Sequence, residues 1–311
     1  MPLHAQAEEL RQRRIAAGTP PLYTRTLAEA RAADLADIEA GRGEKEPVHQ
    51  VEDRELPGAD GPIPVRLFRP AADGPLPALV YFFGGGWTLG QLETCDAVCR
   101  TLTNRIGCLT MAVGYRLAPE HPFPAAVTDC YDALRWLAHQ AGELGVDPAR
   151  IAVGGDSAGG NLAAASTLLN RAGGGPVLAG QLLVYPNTLH GADTPSMAEH
   201  DDPSLFNRRS VAWYWGHYLA DPADGQHPLA SPLLAPDLAG LPPALVITAE
   251  CDPLRDEGEQ YARRLAEAGV PVELTRYDGV MHGFFTMSGL LPDADRALDQ
   301  AAGFLRERFA G

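Results

Sequence analysis

One serine in this chain stands where a hydroxyl can be turned into a nucleophile. The stretch Gly155-Asp156-Ser157-Ala158-Gly159-Gly160 directly follows the apolar run of residues 150–155 and opens a helical pattern, SAGGNLAAASTLL. A G-x-S-x-G sequence between a strand and a helix is a sharp reversal that lifts the serine above the carboxyl end of a sheet. Gly155 and Gly159 remove side chains that would collide across that turn. The Ala158 amide, at the start of the helix, points to the same spot.

A serine is a poor nucleophile until a base takes its proton, and the base needs a carboxylate to orient it. His282, in Val280-Met281-His282-Gly283-Phe284, follows the last strand-like run, and Asp252, in Ala249-Glu250-Cys251-Asp252-Pro253-Leu254, follows the run before it. Both positions lie at the carboxyl ends of strands, on the rim expected for Ser157. Two acids rival Asp252. Asp256 lies one helical turn further on and suits capping, and Glu250 is still on the strand and suits a structural ion pair. Asp252 is preferred.

A reaction that turns a carbonyl into an oxyanion needs amide donors aimed at the developing charge. The run Tyr81-Phe82-Phe83-Gly84-Gly85-Gly86-Trp87 ends a strand in three glycines, whose backbone can approach a substrate closely. Gly84, Gly85, Gly86 and Ala158 are therefore the candidate oxyanion donors. Trp87 and Asp156, beside those donors, and Trp213 and Trp215, on an aromatic helix further along, are candidate substrate-binding residues.

The elements that must position these groups follow from apolar runs bounded by turn residues. Eight strands are predicted, at about 48–55, 63–69, 77–83, 109–115, 150–155, 180–186, 243–250 and 271–277. Helical patterns fall at about 93–106, 124–141, 158–172, 255–268 and 293–309. This alternation implies a mainly parallel sheet covered by helices on both faces, with the first hairpin, turned at PGADGP, as an antiparallel edge. The order Ser, Asp, His along such a chain is that of the α/β-hydrolase fold. Two segments interrupt the alternation: the polar, helical residues 1–45, and residues 187–228. In the second, Val211, Tyr214, Trp215, Tyr218 and Leu219 share one helix face, suited to core packing and to lining an acyl pocket.

Bulk composition narrows the function classes. Lys and Arg number 25 against 40 Asp and Glu, a formal net charge of −15. That balance disfavours nucleic acid and anionic membrane surfaces, which call for basic patches. No stretch reaches the roughly 18–20 apolar residues of a membrane span, and the opening MPLHAQAEELRQRRIAAG lacks the apolar core of a secretory signal. The cysteines, Cys95, Cys99, Cys108, Cys130 and Cys251, are odd in number and show no metal-ligand spacing, so reduced thiols and a cytoplasmic location are expected.

Taken together, GGGW (84–87), GYRLAPEHPFPA (114–125), GDSAGGNLA (155–163), DPLRDEGEQYA (252–262) and HGF (282–284) resemble the bacterial hormone-sensitive-lipase-like esterases, or family IV lipolytic enzymes, over nearly the whole chain. The resemblance implies an eight-stranded, mostly parallel α/β-hydrolase sheet flanked by helices, with a helical cap. The cap would comprise residues 1–45 and 187–228, and the core 46–186 and 229–311. It implies a Ser157–His282–Asp252 triad, oxyanion donation from Gly85, Gly86 and Ala158, and hydrolysis of short- to medium-chain carboxylic esters through an acyl-serine, with no metal or organic cofactor. The partner would be a small-molecule ester; a homodimer through the free edge of the last strand is a further expectation. One residue departs from the family: Phe83 stands where a histidine usually precedes the glycines. The backbone donors remain, so the loop is expected to be held by packing instead. Two other readings stay open, a dehydratase or cyclase on the same fold and a non-catalytic ligand-binding homologue.

Overall fold

The computed structural model describes residues 2–72 and 74–310. Its eight strands are β1 (Gln50–Gly58), β2 (Gly61–Arg69), β3 (Leu76–Phe82), β4 (Leu109–Val113), β5 (Val146–Asp156), β6 (Leu178–Val184), β7 (Ala244–Cys251) and β8 (Val272–Met281). They form one sheet in the order β1-β2-β4-β3-β5-β6-β7-β8. β1–β2 and β2–β4 pair antiparallel, and every later pair is parallel. The expected antiparallel edge is thus present. Its turn is shorter than PGADGP suggests, because Pro57 faces Pro62 within the ladder and only Ala59 and Asp60 lie between the strands. Proline is tolerated here because β1 is an edge strand.

The inner strands β4 and β7 are buried at every position. Such strands need cover on both faces, which a strand–helix alternation provides. On one face α3 (Leu92–Ile106) packs against α9 (Pro292–Ala310); on the other, α4 (Ala125–His139) packs against α5 (Ala158–Ala172). α8 (Arg255–Glu267) packs along β7 and β8. The alanine-rich α5 is buried along almost its whole length, so small side chains let it lie close against β5 and β6.

The two segments outside this alternation are helical. Residues before β1 form α1 (Ala5–Ala16) and α2 (Leu27–Gly41), the latter started by a Thr26/Glu29 capping box. The later segment carries the short α6 (Pro195–Glu199) and α7 (Arg208–Tyr218). Arg11 pairs with Asp202 at 2.5 Å, tying the first segment to the second. Among the described residues no helix is long and apolar enough to cross a membrane.

Candidate active site

β5 runs out at Asp156 and α5 begins at Ala158, so Ser157 occupies the reversal alone. Its backbone sits at φ 56°, ψ −120°, a strained conformation for a residue with a Cβ. The glycines explain why the turn closes. A Cβ on Gly155 would lie 2.4 Å from the Phe82 carbonyl oxygen, and one on Gly159 would lie 1.9 Å from it. The Ser157 amide donates to the Val184 carbonyl at 2.8 Å, locking the elbow to β6.

Ser157 Oγ is 2.9 Å from His282 Nε2, and His282 Nδ1 is 2.7 Å from Asp252 Oδ2. Asp252 is wholly buried, and its other oxygen accepts the Leu254 amide at 2.8 Å. Both carboxylate oxygens are therefore fixed, one by the chain that follows β7 and one by the imidazole. The rival acids have other work. Asp256 accepts the Ser196 amide and pairs with Arg255 at 2.8 Å; Glu250 accepts the Gly279 amide at 2.7 Å. A serine, a singly hydrogen-bonded imidazole edge and an anchored carboxylate form a proton-transfer line that can activate a hydroxyl.

The glycine loop lies across from the elbow. Gly85 and Gly86 have φ +112° and +58°, conformations that turn successive amides inward. Among the described residues the amides of Gly85, Gly86 and Ala158 donate to no protein acceptor. Gly84 differs from its expected role: its amide donates to Asp156 Oδ1 at 3.1 Å, so it anchors the loop rather than facing a substrate. The same oxygen accepts the Tyr81 hydroxyl at 2.8 Å. Burial raises the Asp156 carboxyl above its ordinary value, with these two bonds and His282 opposing. Phe83 is buried and stacked on Tyr115, with ring centroids 4.4 Å apart, and the Tyr115 hydroxyl donates to the Phe83 carbonyl at 2.8 Å. At this position the loop meets both ring packing and a hydrogen bond from Tyr115.

Residues 79–286 match the family described as the alpha/beta hydrolase fold. Carboxylic ester hydrolase LipN of Mycobacterium tuberculosis is 46% identical over 246 residues, 76% of this chain. The match spans 65% of that relative, just under two thirds of its length. The ethyl acetate hydrolase of Pseudomonas putida is 40% identical over 255 residues, 80% of each chain. A hyperthermophilic esterase from the archaeon Pyrobaculum calidifontis superposes over 100% of both chains with a TM-score of 0.94 and 42% identity. This chain belongs to the hormone-sensitive-lipase-like carboxylesterases of the α/β-hydrolase family.

In this family member the space around Ser157 is a cavity of about 110 Å³ lined by Tyr81, Phe83, Gly84–Gly86, Asp156, Tyr185 and His282 from the core and by Asp34, Ile38, Phe206 and Tyr214 from the two helical segments. A second cavity of about 210 Å³ shares Asp34, Ile38, Phe206, Tyr214 and His282 and extends outward. The expected tryptophans are not in either. Trp87 is fully buried, stacked on Tyr218 at 4.1 Å and tilted against Trp215 at 4.5 Å. Trp215 is likewise buried, and Trp213 rests on His217 at 4.2 Å. The helical face of α7 is thus core, for the reason its spacing gave. Tyr214, at that face's margin, turns to the pocket, and its ring occupies the place of a Cβ on Gly86, 2.0 Å away. Asp156 lines the cavity, but its carboxylate is committed to Tyr81 and Gly84.

Sequence reasoning missed Phe206. Its ring stacks on the His282 imidazole, with centroids 4.1 Å apart and planes inclined 21°. Tyr185 lies against the same imidazole at 4.6 Å. Phe206 carries no periodic signal, since it stands just before Asn207, which caps α7 through the Arg209 and Ser210 amides.

Proposed function

We propose that this chain is a serine carboxylesterase in which Ser157, His282 and Asp252 form the catalytic triad. The observation that carries the reading is the continuous hydrogen-bond line from Ser157 Oγ through His282 to Asp252, at 2.9 and 2.7 Å. Ser157 attacks the ester carbonyl while His282 Nε2 takes its proton. Asp252 holds the imidazole by Nδ1 and offsets its positive charge. The amides of Gly85, Gly86 and Ala158 receive the oxyanion. The tetrahedral intermediate collapses, the alkoxide leaves with the proton from His282, and an acyl-serine remains. Water then gives a proton to His282 and attacks the acyl carbon; the bond to Ser157 Oγ breaks, His282 returns the proton to that oxygen, and the acid is released.

The small cavity around Ser157, narrowed by Tyr214 and Phe206, supports short- to medium-chain esters, and the resemblance to an ethyl acetate hydrolase agrees. Residues 1–45 and 187–228, which supply the non-core walls, act as a two-part cap. The buried thiols Cys95, Cys99, Cys108 and Cys130 fit a cytoplasmic setting, and the sheet edge at β8, with Leu274 exposed, fits a homodimer. Ser157→Ala should abolish turnover of p-nitrophenyl butyrate, and a series from acetate to palmitate esters should peak at the short end. Turnover near the wild-type rate in Ser157→Ala would refute the nucleophile assignment.

A further inference from the structure

Asp34 is a carboxylate with nothing to hold. It sits on α2 and lines three adjoining spaces: the cavity around Ser157, the 210 Å³ cavity beyond it, and a cleft of about 390 Å³ flanked by Arg31, Glu120 and His121. Among the described residues no hydrogen bond or ion pair involves it. The cations around it are engaged elsewhere. Arg14 pairs with Asp37 at 2.7 Å, Arg31 grips both oxygens of Glu120 at 2.7 Å, and Arg25 reaches the Pro20 carbonyl at 3.3 Å. Aromatic rings line the same spaces as the free carboxylate. Phe206 and Tyr214 line both inner cavities with it, and its charge helps, after burial, to raise the Tyr214 phenol.

An unpaired carboxylate beside aromatic faces is the arrangement that attracts an organic cation, through charge on one side and ring quadrupoles on the other. We propose that Asp34, with Phe206 and Tyr214, forms a subsite for the ammonium group of cationic esters. The inference rests on the esterase reading and gives it a substrate class.

The environment also sets a pH dependence. Burial, then the negative charges of Asp37 and Asp156, raise the Asp34 carboxyl to about 7. The other titratable or charged groups around these spaces are Arg14, Arg25, Arg31, Tyr81, Cys95, Glu120, His121, Tyr185, Tyr214 and His282. As pH rises through about 7 Asp34 ionises, so preference for a cation should strengthen between pH 6 and pH 8.5.

The test compares butyrylcholine with its neutral isostere 3,3-dimethylbutyl butyrate. The ratio of their kcat/KM values cancels the shared titration of the catalytic base. Wild type should favour the cation by about tenfold at pH 8.5 and by less at pH 6. Asp34→Asn should bring the ratio to near one at both pH values, and Asp34→Glu should restore part of it. A wild-type ratio of one or below, or a ratio unchanged in Asp34→Asn, would overturn the subsite. Choline binding to the Ser157→Ala protein, followed by calorimetry, decides the same question without turnover. Binding that Asp34→Asn abolishes supports the subsite; no binding, or equal binding, refutes it. Failure to hydrolyse even the neutral ester would count against the esterase reading alone.

Discussion

Phe83 gives the sharpest test of how the glycine loop is held. Its ring is buried against Tyr115 at 4.4 Å, and Gly90 must be glycine because a Cβ there would come 2.7 Å from that ring. The Tyr115 hydroxyl also fixes the Phe83 carbonyl at 2.8 Å. Stacking of this kind is worth about 0.5–1.5 kcal/mol beyond area burial, and one such hydrogen bond about 1 kcal/mol. Phe83→Leu keeps an apolar filler and removes the stack. If all of that energy holds the loop in the transition state, kcat should fall about 2- to 12-fold with KM little moved. Phe83→His keeps a flat ring on Tyr115 and leaves the amides of Gly85, Gly86 and Ala158 in place, so hydrolysis should persist or improve. Steady-state kinetics on p-nitrophenyl butyrate, with circular dichroism to verify folding, reads all of this. A folded Phe83→His protein without activity would refute the reasoning, and so would a Phe83→Leu protein as fast as wild type.

Three further outcomes follow from the geometry. Asp252→Asn should lower kcat about 10⁴-fold, because the Leu254 amide at 2.8 Å claims the amide oxygen and turns the NH₂ group toward His282, imposing the wrong tautomer; a loss below tenfold would break that argument. Phe206→Leu should cut kcat about 3- to 30-fold by removing the ring face that favours the imidazolium formed in each transition state, with Phe206→Tyr close to wild type; equal rates in all three would leave the stack without a role. Glu257 is buried, accepts the Thr188 and Leu189 amides at 2.6 and 3.2 Å, and is raised by burial from 4.5 to about 8. Between those values the folded state holds a proton that the unfolded chain has lost, so the contribution of Glu257 to stability falls as pH rises, by up to about 5 kcal/mol; Glu257→Gln should remove that part, visible as a smaller drop in Tm from pH 5 to pH 9, and parallel Tm profiles would contradict it.

The proposed catalytic line is legible in the sequence because its constraints are local. Gly155 and Gly159 announce the elbow, since no side chain fits beneath the Phe82 carbonyl. Asp252 and His282 stand directly after strands whose apolar runs are plain. The substrate wall was not legible, because it depends on which side of a helix meets which cavity. The spacing that buries Val211, Trp215 and Tyr218 identified a core face, yet it also suggested Trp215 as a substrate contact, and Tyr214 took that place. Trp87 looked like a pocket residue because it follows the glycines, but its positive φ of 58° turns it down onto Tyr218. The glycine run alone makes Gly84 a donor like its neighbours; only the fold brings Asp156 within reach of its amide.

The two helical segments touch each part of the proposed site, which bears on how their variants should behave. Tyr214 lies on Gly86 so closely that no Cβ fits between them, so the glycine loop and α7 specify each other. Phe206 lies flat on His282, and Asp34 faces the cavity that holds Ser157. A wall that only shaped the pocket would change KM alone when altered. A wall that also holds the base and covers the loop must change kcat as well. Substitutions at Tyr214 and Phe206 should therefore lower kcat even toward the smallest esters, whose acyl chains are too short to reach the outer cavity, and a purely KM-borne effect on acetate esters would show that these segments select without positioning.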